Sequence, residues 1–379
     1  MTTLVTRRTL ALGTAALAMP SIVRAQSGDT IKIGVMTPLT GPAAASGKLQ
    51  QNGIKIAVDA VNVRGVLGRK FEIVTEDDQA TNPGAVSAFG RLAARPVIAA
   101  FIGPIRSAQI NVMLPDVLTA GRPLLFGGTD PTLTQRGNPW LFRCRPNDSY
   151  SATIISEFGF GQLQKMKWAV VFSTDAFGTN GSKALGAALR ERSIIPVLMQ
   201  GRPNQTSDFA DVVEAVQRSG ADILGSYIAF ERDLAAFARQ LRQAGVTIPW
   251  VGSPSIISTE ARDVAGSALH GTFGVADYAV DGTPVSGLYG NKYKAIHNAP
   301  PDHQSAYAHD AVLLLAHAIA SGGGTDPVKV RAALAGIKGF AGAEGEYNFD
   351  ANGDGLRGYN IVRNEGGSIV FSSRIEVEP

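Results

Sequence analysis

Strand-like and helix-like segments alternate through the first third of this chain, and after residue 140 the same alternation begins again. Residues 31–36 alternate in polarity and run into TPLTGP, so they read as a buried first strand followed by a loop. Apolar residues recur at helical spacing over 49–61, a second strand spans 69–75, and a helix opened by Pro83 runs to Ala94. Strands over 97–102 and 122–126 follow, with a helix between them that begins near Ser107. This βαβαβαβ order is the pattern of a parallel sheet with helices on both faces. The second series starts after a short strand over 140–144. It places helices at 148–163, 179–191, 207–218 and 234–244, and strands at 168–173, 194–199, 222–227, 249–252 and 270–275. Two α/β units in tandem, without solenoid-type repeats, predict two similar lobes.

The tail breaks the rhythm. Helices are expected at 284–296, 305–320 and 327–334 with no strands between them, and 359–377 is strand-like. Helices without partner strands must cover a sheet already built, and a terminal strand must join an existing one. The chain is therefore expected to cross between lobes more than once.

The stretch FIGPIRSAQINVMLPDVLTAGRPLLFGGTDPTLTQRG (101–137) brings two successive strands to ends rich in small polar residues. In an open α/β sheet a small ligand sits beyond the carboxyl ends of the strands, on backbone N–H groups and hydroxyls. Ser107 at a helix start, with the turn Gly127-Gly128-Thr129, makes a cradle suited to a carboxylate. Ordinary capping and turn chemistry explains the same residues, and local sequence alone does not separate the two readings.

The 379 residues are enough for two domains with ample core. The first 25 are expected to be a cleaved leader. Arg7-Arg8 precede an apolar run over 9–19, and Val23-Arg24-Ala25 ends in a small residue suited to cleavage before Gln26. The paired arginines resemble a twin-arginine signal, and a general secretory signal fits nearly as well. No later segment reaches about 18 apolar residues, so no transmembrane helix is expected. The leader carries Arg7, Arg8 and Arg24 and no acid. The chain's 35 basic and 32 acidic residues therefore become equal in number once it is removed. A neutral mature chain gives no electrostatic footprint for nucleic acid or anionic membrane. Cys144, the only cysteine, excludes an intrachain disulfide and a multi-cysteine metal site, and reads as a buried small hydrophobe.

Catalytic motifs are lacking: there is no H-E-x-x-H, G-x-S-x-G, G-x-x-x-x-G-K-[ST] or strand-linked G-x-G-x-x-G. His309 and His317 share an apolar helix and read as packing; His297 and His303 flank Pro300-Pro301 and are expected to be solvated. FDANGDG (349–355) imitates the start of a calcium loop, but Ile361 stands where the closing glutamate belongs, so it reads as a turn. Glu76-Asp77-Asp78 reads as a solvated strand terminus rather than a metal site. No cofactor is expected.

TPLTGPAAASG, FIGPIRSA, GGTDPTLTQRG and FRCRPNDSYSA occur in this order, followed by STDAFGTNGSKAL, LRQAGVTIPWVG and SAYAHDAVLLLAHAI. Together they resemble the periplasmic leucine/isoleucine/valine-binding proteins, the type I solute-binding components of ABC importers. The resemblance covers essentially the whole mature chain. It implies the type I periplasmic-binding-protein fold, two Rossmann-like lobes joined by three crossing strands, with ligand in the cleft and hinge closure. The lobes would comprise 26–145 with 280–352, and 146–279 with 353–379. The implied partners are a small-molecule ligand and an inner-membrane ABC permease, for a monomeric periplasmic protein; sensing for a membrane receptor is the alternative.

The resemblance also assigns positions. Ser107, Gly127 and Thr129 map to the group that holds a ligand carboxylate, and Asp148, with Tyr150 close by, to the aspartate after the FR strand. Elsewhere this chain departs from the pattern. Phe177 and Phe230 stand at tyrosine positions, Ser46 at an aromatic position, and Pro254, followed by Ser255, where the acid that pairs with a ligand ammonium belongs. A buried ammonium without a carboxylate partner costs several kcal/mol. Either Asp148 or another acid has taken over the ammonium, or the ligand has none. The residues lean to the second, an aromatic or aliphatic carboxylate, with apolar amino acids as the family default.

Overall fold

The computed structural model describes residues 30–377; the expected leader lies outside the described residues. The first series of elements is β1 (Ile31–Thr37), α1 (Ala44–Arg64), β2 (Phe71–Asp77), α2 (Asn82–Ala93), β3 (Ile98–Ile102), α3 (Ser107–Ala120), β4 (Leu124–Phe126) and β5 (Leu141–Arg143). Its strands pair in parallel in the order β2-β1-β3-β4-β5. Every residue of β3 is buried, because helices cover both faces of the central strand. The turn after β3 is fixed by Gly103. Its φ is +88°, and a Cβ there would lie 2.1 Å from the Met36 carbonyl oxygen.

The second series is α4 (Asp148–Glu157), β6 (Trp168–Ser173), α5 (Ala176–Glu191), β7 (Leu198–Arg202), α6 (Ala210–Ser219), β8 (Ile223–Tyr227), α7 (Glu231–Gln243), β9 (Trp250–Gly252), α8 (Thr259–Ala265) and β10 (Phe273–Ala276). Two expectations shift here. The strand expected at 194–199 forms as β7 at Leu198–Arg202, because Pro196 has no N–H for a ladder and Ile194 turns into the core. The helix expected to reach Leu163 ends as a π-helical turn over Phe158–Gln162, where Gly159 and Gly161 give poor support to an α-helix.

Three helices come next, α9 (Pro284–His297), α10 (His303–Ser321) and α11 (Pro327–Ala335), then a short ribbon of β11 (Phe340–Ala341) and β12 (Glu346–Tyr347). Tyr307, Ala311, Leu314, Leu315 and Ile319 of α10 pack with Ile33, Val35, Ile54 and Ala57 into the core of the first sheet. The chain then returns to the second sheet as β13 (Gly358–Glu365) and β14 (Ser368–Glu376), giving the order β14-β13-β10-β9-β8-β6-β7 with β13 antiparallel to β10. The path thus passes between the sheets three times, after β5, β10 and β12.

The first two of these passages share a buried charge cluster. Arg145, beyond β5, pairs through Nε with Asp277, beyond β10, and its Nη1 donates to the Gly127 carbonyl at 2.9 Å. Asp277 draws the Arg145 guanidinium pKa upward against the opposing effect of burial. Glu344, beyond the second passage, is also buried, and burial with Asp277 beside it pushes its carboxyl well above the usual range. Cys144 is buried, as its apolar strand implies.

Candidate functional site

The carboxyl ends of β3, β4 and β5 face those of β6, β8 and β9 across a cleft, and the N-terminus of α10 closes one side. Ile105, Arg106, Ser107, Thr129 and Arg145 form the first wall. Asp175, Phe177, Ala229, Glu231, Pro254 and Ser255 form the second, and His303 and Gln304 project from α10. The cavity they enclose measures about 40 Å³.

Of the residues singled out in the sequence, Ser107, Thr129, Phe177, Pro254 and Ser255 meet at this cavity. Ser107 begins α3, and its Oγ accepts the Asp130 N–H at 3.1 Å, which leaves the hydroxyl hydrogen free to donate. Thr129 Oγ1 donates to Asp148 Oδ2 at 2.7 Å. Asp148 lies behind this hydroxyl, wholly buried, also holding Ser151 Oγ at 3.1 Å, and it does not line the cavity. Burial pushes its carboxyl up to about 7, with Thr129, Arg145 and Ser151 opposing the shift. Near neutrality Asp148 therefore exists in both forms: ionised it takes the Thr129 hydrogen, protonated it donates to Oγ1 and releases that hydrogen towards the cleft.

The remaining candidates serve the frame. A Cβ on Gly127 would meet Ile105 at 2.9 Å and one on Gly128 would meet Ile110 at 2.4 Å, so both glycines permit close packing behind the wall. Tyr150 is half-buried in the apolar cluster around β6 and α5. Ser46 Oγ donates to Glu260 Oε2 at 3.1 Å, a contact between the two halves outside the cavity. Phe230 caps α7, packs with Ala43, Ala80 and Ala229, and lies under the Arg106 guanidinium, whose Cζ is 3.9 Å from the ring centroid.

The structure adds residues that the sequence reading passed over. Arg106 and Glu231 are immediate neighbours of Ser107 and Phe230 in sequence, and neither carries a motif signal of its own. Asp175 caps α5 by accepting the Gly178 N–H at 2.9 Å, and its other oxygen accepts Asn204 Nδ2 at 3.1 Å. His303 corrects an expectation. It is buried at the start of α10 rather than solvated, and burial together with Arg145 and Arg106 holds its ring well below the usual histidine pKa. The imidazole is therefore neutral near pH 7, and its buried Nδ1 has no partner.

The acidic strand terminus is structural. Glu76 pairs with Arg91 and Arg95, Asp77 accepts from Leu39 N and Thr40 Oγ1, and Asp78 accepts from Ala80 N. No cluster of His, Cys, Asp or Glu able to hold a metal occurs among the described residues. In the 349–355 turn, Asp350 accepts the N–H groups of Asn352 and Asp354, and Asp354 pairs with Arg143 at 2.7 Å.

One parallel and one mostly parallel sheet, three passages between them and a polar cleft at the strand ends define a bilobed binding protein. The sequence profile described as "Periplasmic binding protein" matches residues 30–368, and the chain belongs to that family. The Leu/Ile/Val-binding protein homolog 1 of Brucella melitensis is 24% identical over 367 residues, covering 96% of this chain and 97% of its own. The leucine-binding protein LivK of Thermotoga maritima superposes with a TM-score of 0.87 at 23% identity, covering 92% of this chain and 99% of that one. A solute-binding protein from R. palustris in complex with benzoate superposes at 0.83 with 19% identity, covering 92% and 98%. At these identities the two structures establish the fold. Among the described residues no helix is long and apolar enough to cross a membrane.

Proposed function

We propose that this chain is the extracytoplasmic solute-binding component of a branched-chain-amino-acid-type ABC importer. It takes a small apolar amino acid or carboxylate into the cleft and closes on it by a hinge at the three passages. The observation that carries this reading is the meeting of Ser107 and Thr129 on one wall with Phe177, Pro254 and Ser255 on the other, at the carboxyl ends of two sheets. The amino-acid arm is supported by the Leu/Ile/Val-binding relatives, and the carboxylate arm by the benzoate-bound neighbour and by Pro254, which offers no charge. The lobes are proposed as 26–145 with 280–352, and 146–279 with 353–379, the last cut falling better after Asp354 because that residue pairs with Arg143. The protein acts as a monomer that delivers ligand to an inner-membrane permease, after export on a twin-arginine or general secretory signal. Its role is binding rather than catalysis, and it needs no cofactor.

A thermal-shift screen of apolar amino acids, their 2-oxo acids and benzoate tests this. A true ligand raises stability by RT ln(1 + [L]/Kd) and, in solution scattering, reduces the radius of gyration. A screen in which no acid shifts the transition rejects the reading.

A further inference from the structure

One ion pair spans the cleft itself. Arg106, at the N-terminal boundary of α3, donates from Nη2 to Glu231 Oε2 at 3.2 Å and from Nη1 to the Ala229 carbonyl at 2.6 Å. Glu231 is the first residue of α7 on the opposite wall, and it also accepts Gln304 Nε2 at 3.1 Å. The two side chains are only 10% and 7% exposed. Among the described residues Arg106 is the single cation that pairs with Glu231, and Arg106 Nε is buried without a partner.

The free space beside this pair is about 40 Å³, room for about three water molecules. A solute the size of an amino acid must displace what now fills the cleft, and Arg106 is the cavity-lining side chain that reaches the opposite backbone. A carboxylate arriving at Ser107, the next residue, competes with Glu231 for the guanidinium. If the solute carries no positive group, Glu231 stays buried with a neutral amide and no cation, and an uncompensated buried charge is strongly unfavourable. If the solute carries an ammonium, the ions exchange partners and no charge is stranded. The neighbouring carboxylates, Asp78 and Asp233, lie within electrostatic reach of the same arginine and supply no second cation. Asp148 is shut behind Thr129, so it is not positioned to receive an ammonium.

We propose that Glu231 receives the ligand's ammonium and Arg106 its carboxylate, so that the cleft selects a zwitterionic α-amino acid over the corresponding simple carboxylate. This rests on the solute-binding reading above and reverses the lean drawn from Pro254: the missing acid is supplied one loop away, at the start of α7.

Calorimetric titration decides it, using the best amino acid from a thermal-shift screen of the twenty, its own 2-oxo acid, and benzoate. In the unmodified protein the amino acid should bind at least about tenfold more tightly than its 2-oxo acid. Glu231→Gln should weaken the amino acid by at least about tenfold and bring the two acids to similar affinity. The double variant Arg106→Gln/Glu231→Gln strands neither charge, so it should also lose the preference if the single variant folds poorly. A 2-oxo acid or benzoate that binds the unmodified protein as tightly as the amino acid, or a preference unchanged by Glu231→Gln, overturns the assignment and leaves a carboxylate-binding cleft standing. Binding by no acid at all overturns both readings, and the two failures are thereby distinct.

Discussion

On the first wall of the cleft, polar groups sit where backbone turns put them; on the second, the chemistry depends on which side chain the sequence supplies. Gly103 sets the turn into α3, Ser107 is the first residue of that helix, and Thr129 follows a turn whose glycines pack against Ile105 and Ile110. Such a wall changes little without breaking the sheet behind it. The facing positions are a partly buried phenylalanine, a proline with its serine, and a glutamate at a helix start, side chains that lie outside β6, β8 and β9. One wall of the cleft is therefore set by the turns of the sheet, and the other by exchangeable side chains. The first wall should then control whether any ligand binds, and the second which one.

The largest effect belongs to the cluster on which both walls hang. Arg145→Met leaves Asp277 buried without its cation, alongside the buried Glu344. Breaking a buried pair by removing one partner costs about 3–5 kcal/mol. Urea denaturation at pH 7 should show a midpoint lowered accordingly with an unchanged slope. A loss below about 1 kcal/mol would mean that the passages are not held by this pair.

Asp148 gives the next effect, and its sign follows from the raised pKa. Folded, its carboxyl titrates near 7; unfolded, near 3.8. The folded form therefore holds a proton that the unfolded form has released, and this contribution is present below about pH 4 and lost as pH rises through about 7. The shift corresponds to roughly 4 kcal/mol at most. Other buried acids, including Asp302 and Glu344, share the sign, so the informative quantity is the difference between the unmodified protein and Asp148→Asn. The variant should become relatively more stable between pH 4 and 8. A difference flat in pH would show that Thr129 and Ser151 hold Asp148 ionised.

Third comes the first wall itself. Ser107→Ala removes a hydroxyl free to donate to a carboxylate and leaves the buried Asp130 N–H unpaired. A lost hydrogen bond to a charged group is worth roughly 1.5–3 kcal/mol, about ten- to a hundredfold in affinity. The loss should be similar for every acid that binds. A loss confined to one ligand class would place selectivity on the wrong wall.

The sequence exposed the fold almost completely, because alternating strands and helices announce a parallel sheet and the strandless tail announces its return. The first wall was legible for the same reason, since turn glycines and a helix-start serine carry local signals. Arg106 and Glu231 were not. Each reads locally as an ordinary charged residue at a helix start, and only the closing of the two sheets brings them within 3.2 Å. His303 departs from its expectation because the Pro300-Pro301 loop suggests solvent, whereas α10 carries it into the cleft. β7 began late because a proline overrode a run of apolar residues.

The smallest expected effect belongs to Phe177 on the second wall. Phe177→Tyr restores the aromatic hydroxyl that the resemblance places there. The ring is partly buried, borders the cavity and lies 5.8 Å from Tyr227. A hydroxyl added at such a half-open position finds water or ligand, so stability should change by less than about 0.5 kcal/mol. Affinity for an apolar acid should move by no more than about threefold, while the ratio between ligands of different polarity shifts, because a second-wall residue adjusts which solute fits. Calorimetry with leucine and threonine, one apolar and one hydroxylated, measures both quantities. If Phe177→Tyr weakens all ligands as much as Ser107→Ala does, the aromatic is part of the anchoring machinery, and the division between a fixed wall and a variable wall is wrong.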